Sequence, residues 1–207
     1  YNWNSMTFEP KFTDYSTRND LISNNTVILS SDGAMNTGSV IGISLFNATG
    51  ARLYNNAIEV NDQQIDPNNP NTSAVFVYGL HSTKGGFVSD RNAYYVTSPN
   101  SSIYRFIETD EVGRVIEFGH KTEFATLPQW QNWTKQDFNS VVGNFSQDFE
   151  LTGLSPFNLR VKSDPYPMGS ILNNRGVKIE GNEVDIDGIL RGQAGEKYDI
   201  GAVEFRG

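Results

Sequence analysis

The hydrophobic positions of the chain fall in short runs of β-forming residues, and clusters of turn-forming residues separate these runs. One run occurs three times, and each copy begins with a polar residue, an asparagine and a small residue. The asparagines are Asn25, Asn56 and Asn92, separated by 31 and 36 residues. Helical spacing of apolar residues is nearly absent, so the pattern predicts an all-β chain built from repeated units.

A second run recurs in phase with the first. Residues 39–46 align with residues 74–81 at a spacing of 35 residues. Short strands that recur at such a period are typical of a solenoid, in which each unit stacks on the next. We expect Asn25, Asn56 and Asn92 to stack, with their side-chain amides forming a hydrogen-bonded ladder that satisfies the turn backbone. A β-sandwich with coincidental repeats is the alternative architecture.

Beyond about residue 103 the repeat changes, and the remaining chain is expected to close the stack. Thr126 as N-cap, Pro128 in the first turn and Gln129 completing a capping box predict a short helix through about residue 133. The chain is therefore divided into coils over residues 1–125 and a closing segment of the same domain over residues 126–207. Further strands are predicted at residues 103–106, 112–118 and 200–205, and surface loops at residues 63–71 and 97–102.

Composition indicates a chain that folds. Of its 207 residues, 37% are apolar, 12% are aromatic and 19% are charged, whereas disordered chains are poor in aromatic residues and rich in charge. Asn, Gly, Ser and Thr are abundant and suit tight turns. The absence of cysteine excludes disulfides and thiolate metal sites.

The charge of the chain argues against several classes of partner. The net charge is −8 and no run of Lys or Arg occurs, so the basic footprint of a nucleic-acid-binding protein is absent. No apolar stretch approaches the roughly 20 residues that span a bilayer, so we expect no membrane insertion by this segment. A strongly anionic polysaccharide would need a local basic groove that the sequence does not reveal.

The C-terminal part of the chain resembles a known family. Residues 185–192 read Asp-Ile-Asp-Gly-Ile-Leu-Arg-Gly, and residues 198–205 read Tyr-Asp-Ile-Gly-Ala-Val-Glu-Phe. These segments are similar to the D-x-D-G-x-x-R and D-I-G-A-x-E tail of bacterial right-handed parallel β-helix proteins, in the pectate-lyase-like solenoid superfamily. The final coils of that family also resemble residues 92–95, 126–131 and 137–141, whereas residues 168–173 lack its usual Gly-Ser-Pro-Ala segment.

The resemblance implies a fold, a location and partners. The implied fold is an all-β, right-handed parallel β-helix whose C-terminal coils end in an irregular capping segment with one short helix. The implied protein is exported by a bacterium to the medium or the cell surface, with a polysaccharide or cell-surface glycan as partner. Because Tyr1 reads as mid-domain sequence, we expect further coils upstream, and a surface anchor could follow Gly207.

Asp185 and Asp187 suggest calcium, because hard cations prefer carboxylate and carbonyl oxygens. The motif lacks the further oxygen ligands of an EF-hand loop, so a structural closing turn is the alternative. In that alternative the aspartates accept backbone N–H groups, and Arg191 pairs with Asp199 or Glu204 as the chain closes. No cofactor other than calcium is expected.

Catalytic candidates are few. Elimination on an acidic glycan needs a base, and a cation that neutralises the uronate. His81, Lys84 and Arg91 fall within one coil, although their spacing is not diagnostic of a catalytic site.

Aromatic residues are the other candidates, because aromatic faces stack on sugar rings. The tyrosines considered for glycan binding are Tyr78, Tyr94, Tyr95 and Tyr104. Alternation along a strand predicts that one of Tyr94 and Tyr95 points outward while the other enters the core. Trp130 is expected to pack in the core.

The first functional hypothesis is non-catalytic glycan binding, adhesion or surface display by a secreted or cell-surface protein. The second is a polysaccharide lyase or glycoside hydrolase whose catalytic coils lie partly upstream. The third is a structural stalk. A groove with clustered cations, His and carboxylates would favour the enzyme, and a flat aromatic strip would favour the binding protein.

Overall fold

The computed structural model describes residues 19–30, 40–46, 50–61, 72–80, 86–97, 101–109, 121–152, 158–163, 166–193 and 197–205. Within these ranges the chain forms thirteen strands, one α-helix and one 3₁₀ turn at Ser146–Asp148. The elements in chain order are β1 Leu21–Ser23, β2 Thr26–Ser30, β3 Ile41–Phe46, β4 Arg52–Tyr54, β5 Ala57–Asn61, β6 Ser73–Leu80, β7 Val88–Asp90, β8 Ala93–Val96, β9 Ser102–Thr109, β10 Lys121–Phe124, α1 Leu127–Thr134, β11 Val141–Val142, β12 Phe149–Thr152 and β13 Asn158–Val161.

The first nine strands form three successive triplets, and each strand pairs in parallel with its counterpart in the next triplet. Sheet A contains β1, β4 and β7. Sheet B contains β2, β5, β8 and β11, whereas sheet C contains β3, β6, β9 and the antiparallel β10. The described chain is thus mostly β with parallel sheets, consistent with a solenoid-like class, and it does not match the facing antiparallel sheets of a β-sandwich.

The register aligns repeated apolar positions inside the stack. Val27, Ile58 and Tyr94 form one row across sheet B, and Val77 pairs with Phe106 in sheet C. All five side chains belong to or pack against the main core cluster. Because successive side chains of a strand point to opposite faces, their sequence neighbours face away from this core.

The closing segment covers the outer face of sheet B. Ala57 and Ala93 on that face are fully buried under closing-segment residues that include Phe145, Leu172 and Ile200. Sheet B is therefore apolar on both faces, which explains why its strands read as nearly continuous hydrophobic runs.

Glu59 is the polar exception on this covered face. It is 1% exposed, and its Oε2 accepts hydrogen bonds from the backbone N–H groups of Phe145 (3.1 Å) and Ser146 (2.9 Å). These two amides precede and begin the 3₁₀ turn, so the buried carboxylate is hydrogen-bonded to the closing segment.

The helix prediction is confirmed. α1 spans Leu127–Thr134, and the Gln129 side chain accepts from the backbone N–H of Thr126 at 3.1 Å. Trp130 is fully buried in the core, as expected. In the described part of the chain no helix has the length and apolar character needed to cross a bilayer.

Two sequence predictions are wrong. The alignment of residues 39–46 with residues 74–81 had a spacing of 35, but Ile41 pairs with Ser73, a spacing of 32 residues. Because side chains alternate between the two faces of a strand, an error of three residues, an odd number, exchanges the inner and outer faces. The strand predicted at residues 200–205 is a series of bends.

The backbone donors of residues 200–205 have separate partners instead of one neighbouring strand. Ile200 N–H donates to the carbonyl of Leu172, and Gly201 N–H donates to the carbonyl of Asn55. Gly201 itself has a φ of +104°. Ala202 N–H donates to the Thr26 hydroxyl. The predicted strand at residues 112–118 and the loop at 63–71 lie outside the described residues.

Candidate functional site

The structure brings the three ladder asparagines together along one corner of the stack. Asn25 Nδ2 donates to Asn56 Oδ1 at 2.9 Å, and Asn56 Nδ2 donates to Asn92 Oδ1 at 3.0 Å. The same oxygens also accept the backbone N–H groups of Asn25 (3.2 Å) and Asn56 (2.9 Å). Each amide therefore satisfies the turn of the triplet before it, which explains why Asn recurs at this position.

The residue before each ladder asparagine adopts a left-handed backbone conformation. These corner residues are Asn24, Asn55 and Arg91, with φ of 55°, 57° and 56°. Asn tolerates this region better than other residues with a side chain, because its short polar side chain bonds locally. Arg91 therefore occupies a position that the first two triplets fill with Asn.

The closing segment runs along this column of corners. Asn182 Nδ2 donates to Asn24 Oδ1 at 2.9 Å. Val177 exchanges two hydrogen bonds with the Asn55 side chain, at 2.7 and 2.9 Å. At the third corner, Arg91 Nη1 donates to the carbonyl of residue 175 at 3.3 Å. Residues 175–182 thus contact every triplet in turn.

Tyr94 and Tyr104 cannot stack on a sugar. Both side chains are fully buried, and their hydroxyl oxygens lie 2.5 Å apart beside the carboxylate of Asp137. Tyr104 stacks on Trp130 with ring centroids 4.0 Å apart. The glycan-binding interpretation of these two tyrosines is therefore wrong, because a ring without exposed surface has no face to offer.

Asp137 is the centre of this buried network, and sequence reasoning gave it no role. It is 1% exposed, and burial raises the pKa of its carboxyl group despite the hydrogen bonds that favour the ionised form. Burial, followed by the charge of Asp137, also raises the pKa of both tyrosines well above the ordinary value, so they remain protonated donors. Six donor groups surround the carboxylate, from Ser89, Asn92, Tyr94, Tyr104, Trp130 and Ser140.

Asp185 lies in the closing turn and is occupied by backbone donors. Its Oδ1 accepts from the N–H groups of Asp187 (2.9 Å) and Ile189 (2.8 Å), and its Oδ2 accepts from Glu204 N–H at 3.0 Å. Asp187 is exposed, and no cluster of three or more metal-ligating side chains is formed among the described residues. Asp185 therefore stabilises the closing turn through three backbone hydrogen bonds.

Arg191 closes the same turn with Glu204. Its Nη1 lies 3.1 Å from Glu204 Oε2, and its Nη2 donates to the carbonyls of Gly201 and Ala202 at 3.1 and 3.0 Å. Asp199 instead accepts from the backbone N–H groups of two other residues, Asn174 and Phe205. Burial raises the pKa of Asp199 to about 7, and these two hydrogen bonds oppose that shift.

The remaining candidates lie apart or outside the described residues. His81 and Lys84 are not among the described residues, so the catalytic grouping with Arg91 is not seen as a unit. Tyr95 is half-buried and packs against the closing segment on the covered face of sheet B. Tyr78 lies on the outer face of sheet C.

Tyr78 belongs to an aromatic strip with Phe46 and Phe76. Phe46 pairs with Tyr78 across neighbouring strands, and its ring centroid lies 6.0 Å from that of Tyr78 and 5.4 Å from that of Phe76. Phe46 is 63% exposed, whereas the other two rings are half-buried. Ser44, paired with Phe76, places an exposed hydroxyl-bearing residue beside the rings.

The sequence analysis did not consider Phe46 and Phe76 as binding residues, and its alignment of their two strands was wrong by three residues. With the observed register, Leu45 and Val77 point into the core, so Phe46, Phe76 and Tyr78 face outward together. The available signal was the alternation of side chains along these two strands. Their outward positions hold apolar residues, whereas a face in contact with solvent would hold polar ones.

Comparison of the chain with protein-family models, with curated proteins and with solved structures found no significant match.

Proposed function

We propose that the chain is a segment of a secreted or cell-surface right-handed parallel β-helix protein that binds glycans through the aromatic strip. The observation that carries the proposal is a cluster of three neighbouring aromatic rings, one exposed and two half-buried, on the outer face of one sheet of a repetitive β scaffold. Phe46, the most exposed ring of the strip, is 63% exposed, whereas most of the other aromatic side chains in the described part of the chain are buried.

The chemistry of the strip suits a saccharide. The C–H face of a pyranose ring packs on an aromatic face, and sugar hydroxyls need nearby polar groups. Phe46 and Tyr78 supply ring faces on adjacent strands, and the exposed Ser44 supplies a hydrogen-bonding group beside them. The parallel β scaffold holds the rings at fixed separations, which lowers the ordering cost of binding.

A glycan array followed by calorimetry on the best-bound glycan tests this function. We expect Phe46→Ala and Tyr78→Ala each to weaken the affinity about tenfold, because losing one stacking contact costs about 1 kcal/mol or more. Ile186→Ala is the matched control, since Ile186 is 74% exposed and far from sheet C in sequence, and we expect it to bind like wild type.

Three results would contradict the proposal. The first is an array with no glycan bound, and the second is equal affinity of Phe46→Ala, Tyr78→Ala and wild type. The third is release of unsaturated uronate products from a bound glycan, detected by ultraviolet absorbance. This result would indicate that the protein is a lyase and not a binding protein.

A further inference from the structure

Two adjoining grooves lie between the third corner residue and the closing segment. They enclose about 450 and 390 Å³, within the range of small-ligand sites, and both are lined by Arg91 and Lys197. Arg175 lines the first groove, and Lys178 and Arg191 line the second. Arg191 pairs with Glu204, so we call the other four cations, Arg91, Arg175, Lys178 and Lys197, the basic groove.

The basic groove contrasts with the acidity of the whole protein. The chain has a net charge of −8, yet no Asp or Glu occurs among the described residues that line either groove. The ion pairs of the described chain use Arg105 and Arg191, and none uses the four groove cations. Asp90, next to Arg91 in sequence, accepts from the backbone and side chain of Asn139 at 2.9 and 2.8 Å. The positive charge is therefore concentrated and lacks a described protein counter-ion.

The backbone of Arg91 gives an independent indication of function. The equivalent corners hold Asn, which suits the left-handed conformation, whereas a long side chain there is less favourable. Arg91, which takes this corner in the third triplet, also lines both grooves. An arginine at a position that structure alone would fill with Asn points to a role in binding.

Phe138 completes the first groove. It is 65% exposed and lines the groove together with Asn139 and Asn173, whose amides can bond sugar hydroxyls. Arginine guanidinium groups match the geometry of carboxylate and sulfate oxyanions, and an exposed ring offers a stacking face. Cations, amides and one exposed aromatic ring therefore lie in one concave site.

We propose that the basic groove binds an anionic saccharide, with Arg91, Arg175 and Lys197 pairing with its oxyanion and Phe138 stacking on its ring. This site is separate from the aromatic strip, so it does not depend on the proposed function. The shared chemistry is an oxyanion on a sugar ring, and the two sources are a carboxylate and a sulfate.

The test is calorimetry of the chain at low and physiological salt with four probes: an oligogalacturonate, a dextran sulfate oligosaccharide, neutral dextran of the same length and inorganic phosphate. We expect at least one anionic saccharide to bind at least tenfold more tightly than the neutral oligosaccharide and phosphate, and more weakly as salt rises. The sulfate and carboxylate probes then identify which oxyanion the site prefers.

Variants of the chain distinguish a specific binding site from non-specific electrostatic attraction. Arg91→Asn restores the residue of the other corners, so we expect its thermal stability to equal or exceed that of wild type while anionic saccharide affinity falls about tenfold. We expect the same loss for Arg175→Gln/Lys197→Gln. Arg52→Gln removes one exposed cation outside the lining residues and should retain affinity.

Equal binding of anionic and neutral saccharides would overturn the proposal. Equal weakening by Arg91→Asn and Arg52→Gln would also overturn it, because it would indicate non-specific charge attraction. Phosphate binding as tight as saccharide binding would also overturn the proposal, because it would indicate that the groove recognises simple anions and not a saccharide. Loss of neutral-glycan binding in Tyr78→Ala with anionic binding unchanged would confirm that the two surfaces are separate.

Discussion

Replacing Asp137 with alanine will lower the free energy of unfolding by about 3–5 kcal/mol, because several buried donors lose their acceptor and each unsatisfied one costs about 1–3 kcal/mol. The carboxylate faces six donors, and Ala would leave the Trp130 indole N–H, 2.8 Å from Asp137 Oδ2, without its acceptor. The hydroxyls of Tyr94 and Tyr104 would lose the carboxylate and keep only each other and the Ser89 hydroxyl as partners. Asp137 is 1% exposed, so these donors do not contact bulk water.

Urea unfolding followed by tryptophan fluorescence measures this effect, because Trp130 belongs to the network. Asp137→Asn keeps one acceptor oxygen, so we expect an intermediate loss of about 1–3 kcal/mol. Asp187→Ala removes an exposed carboxylate and should change stability by less than about 0.5 kcal/mol. Equal stability of Asp137→Ala and Asp187→Ala would mean that the buried network does not form.

Replacing Asn56 with alanine will have the second largest effect, a loss of about 2–4 kcal/mol from several buried hydrogen bonds. Asn56 is the centre of the ladder and is fully buried. Its Nδ2 donates to the carbonyl of Ile22 at 2.8 Å and to Asn92 Oδ1 at 3.0 Å, and its Oδ1 accepts from Asn25. Alanine leaves both neighbouring triplets with unsatisfied polar groups.

Asn25→Ala is the matched control for Asn56→Ala. Asn25 stands at the end of the described ladder and is exposed, so water can replace its side-chain bonds. We expect a loss below about 1 kcal/mol in the same urea experiment. If both alanine variants had equal midpoints, the asparagines would not form a cooperative buried ladder.

The stack could be anticipated from sequence because its signals are local and repeated. Asn25, Asn56 and Asn92 recur since each turn needs an amide at the same place, and their spacings of 31 and 36 match the observed pairing of sheet B. The capping box of α1 is equally local. Sheet C was less predictable, because the predicted spacing was wrong by three residues and an odd error pairs inward positions of one strand with outward positions of the next.

The basic groove and the Asp137 network could not be predicted, because their members are distant in sequence. Arg91 comes from the third triplet, whereas Arg175 and Lys197 come from the closing segment. That segment has no periodic pattern, and its path is set by single contacts with the corner residues. Asp137 was visible only as part of a family-like motif, and nothing in its neighbourhood showed which side chains would surround it.

Parallel stacking of the triplets is the central claim, and paired cysteines test it most directly in a chain without native cysteine. Leu21 pairs with Arg52, and Arg52 pairs with Val88, and all three are exposed. Adjacent strands place Cα atoms about 5 Å apart, which permits a disulfide, whereas two steps of about 10 Å exceed its reach.

The measurement is mass spectrometry of mildly oxidised, unreduced protein. Parallel stacking predicts an intramolecular disulfide in Leu21→Cys/Arg52→Cys and none in Leu21→Cys/Val88→Cys. A disulfide in the second variant, or none in the first, would contradict the stacking on which both proposed binding surfaces depend.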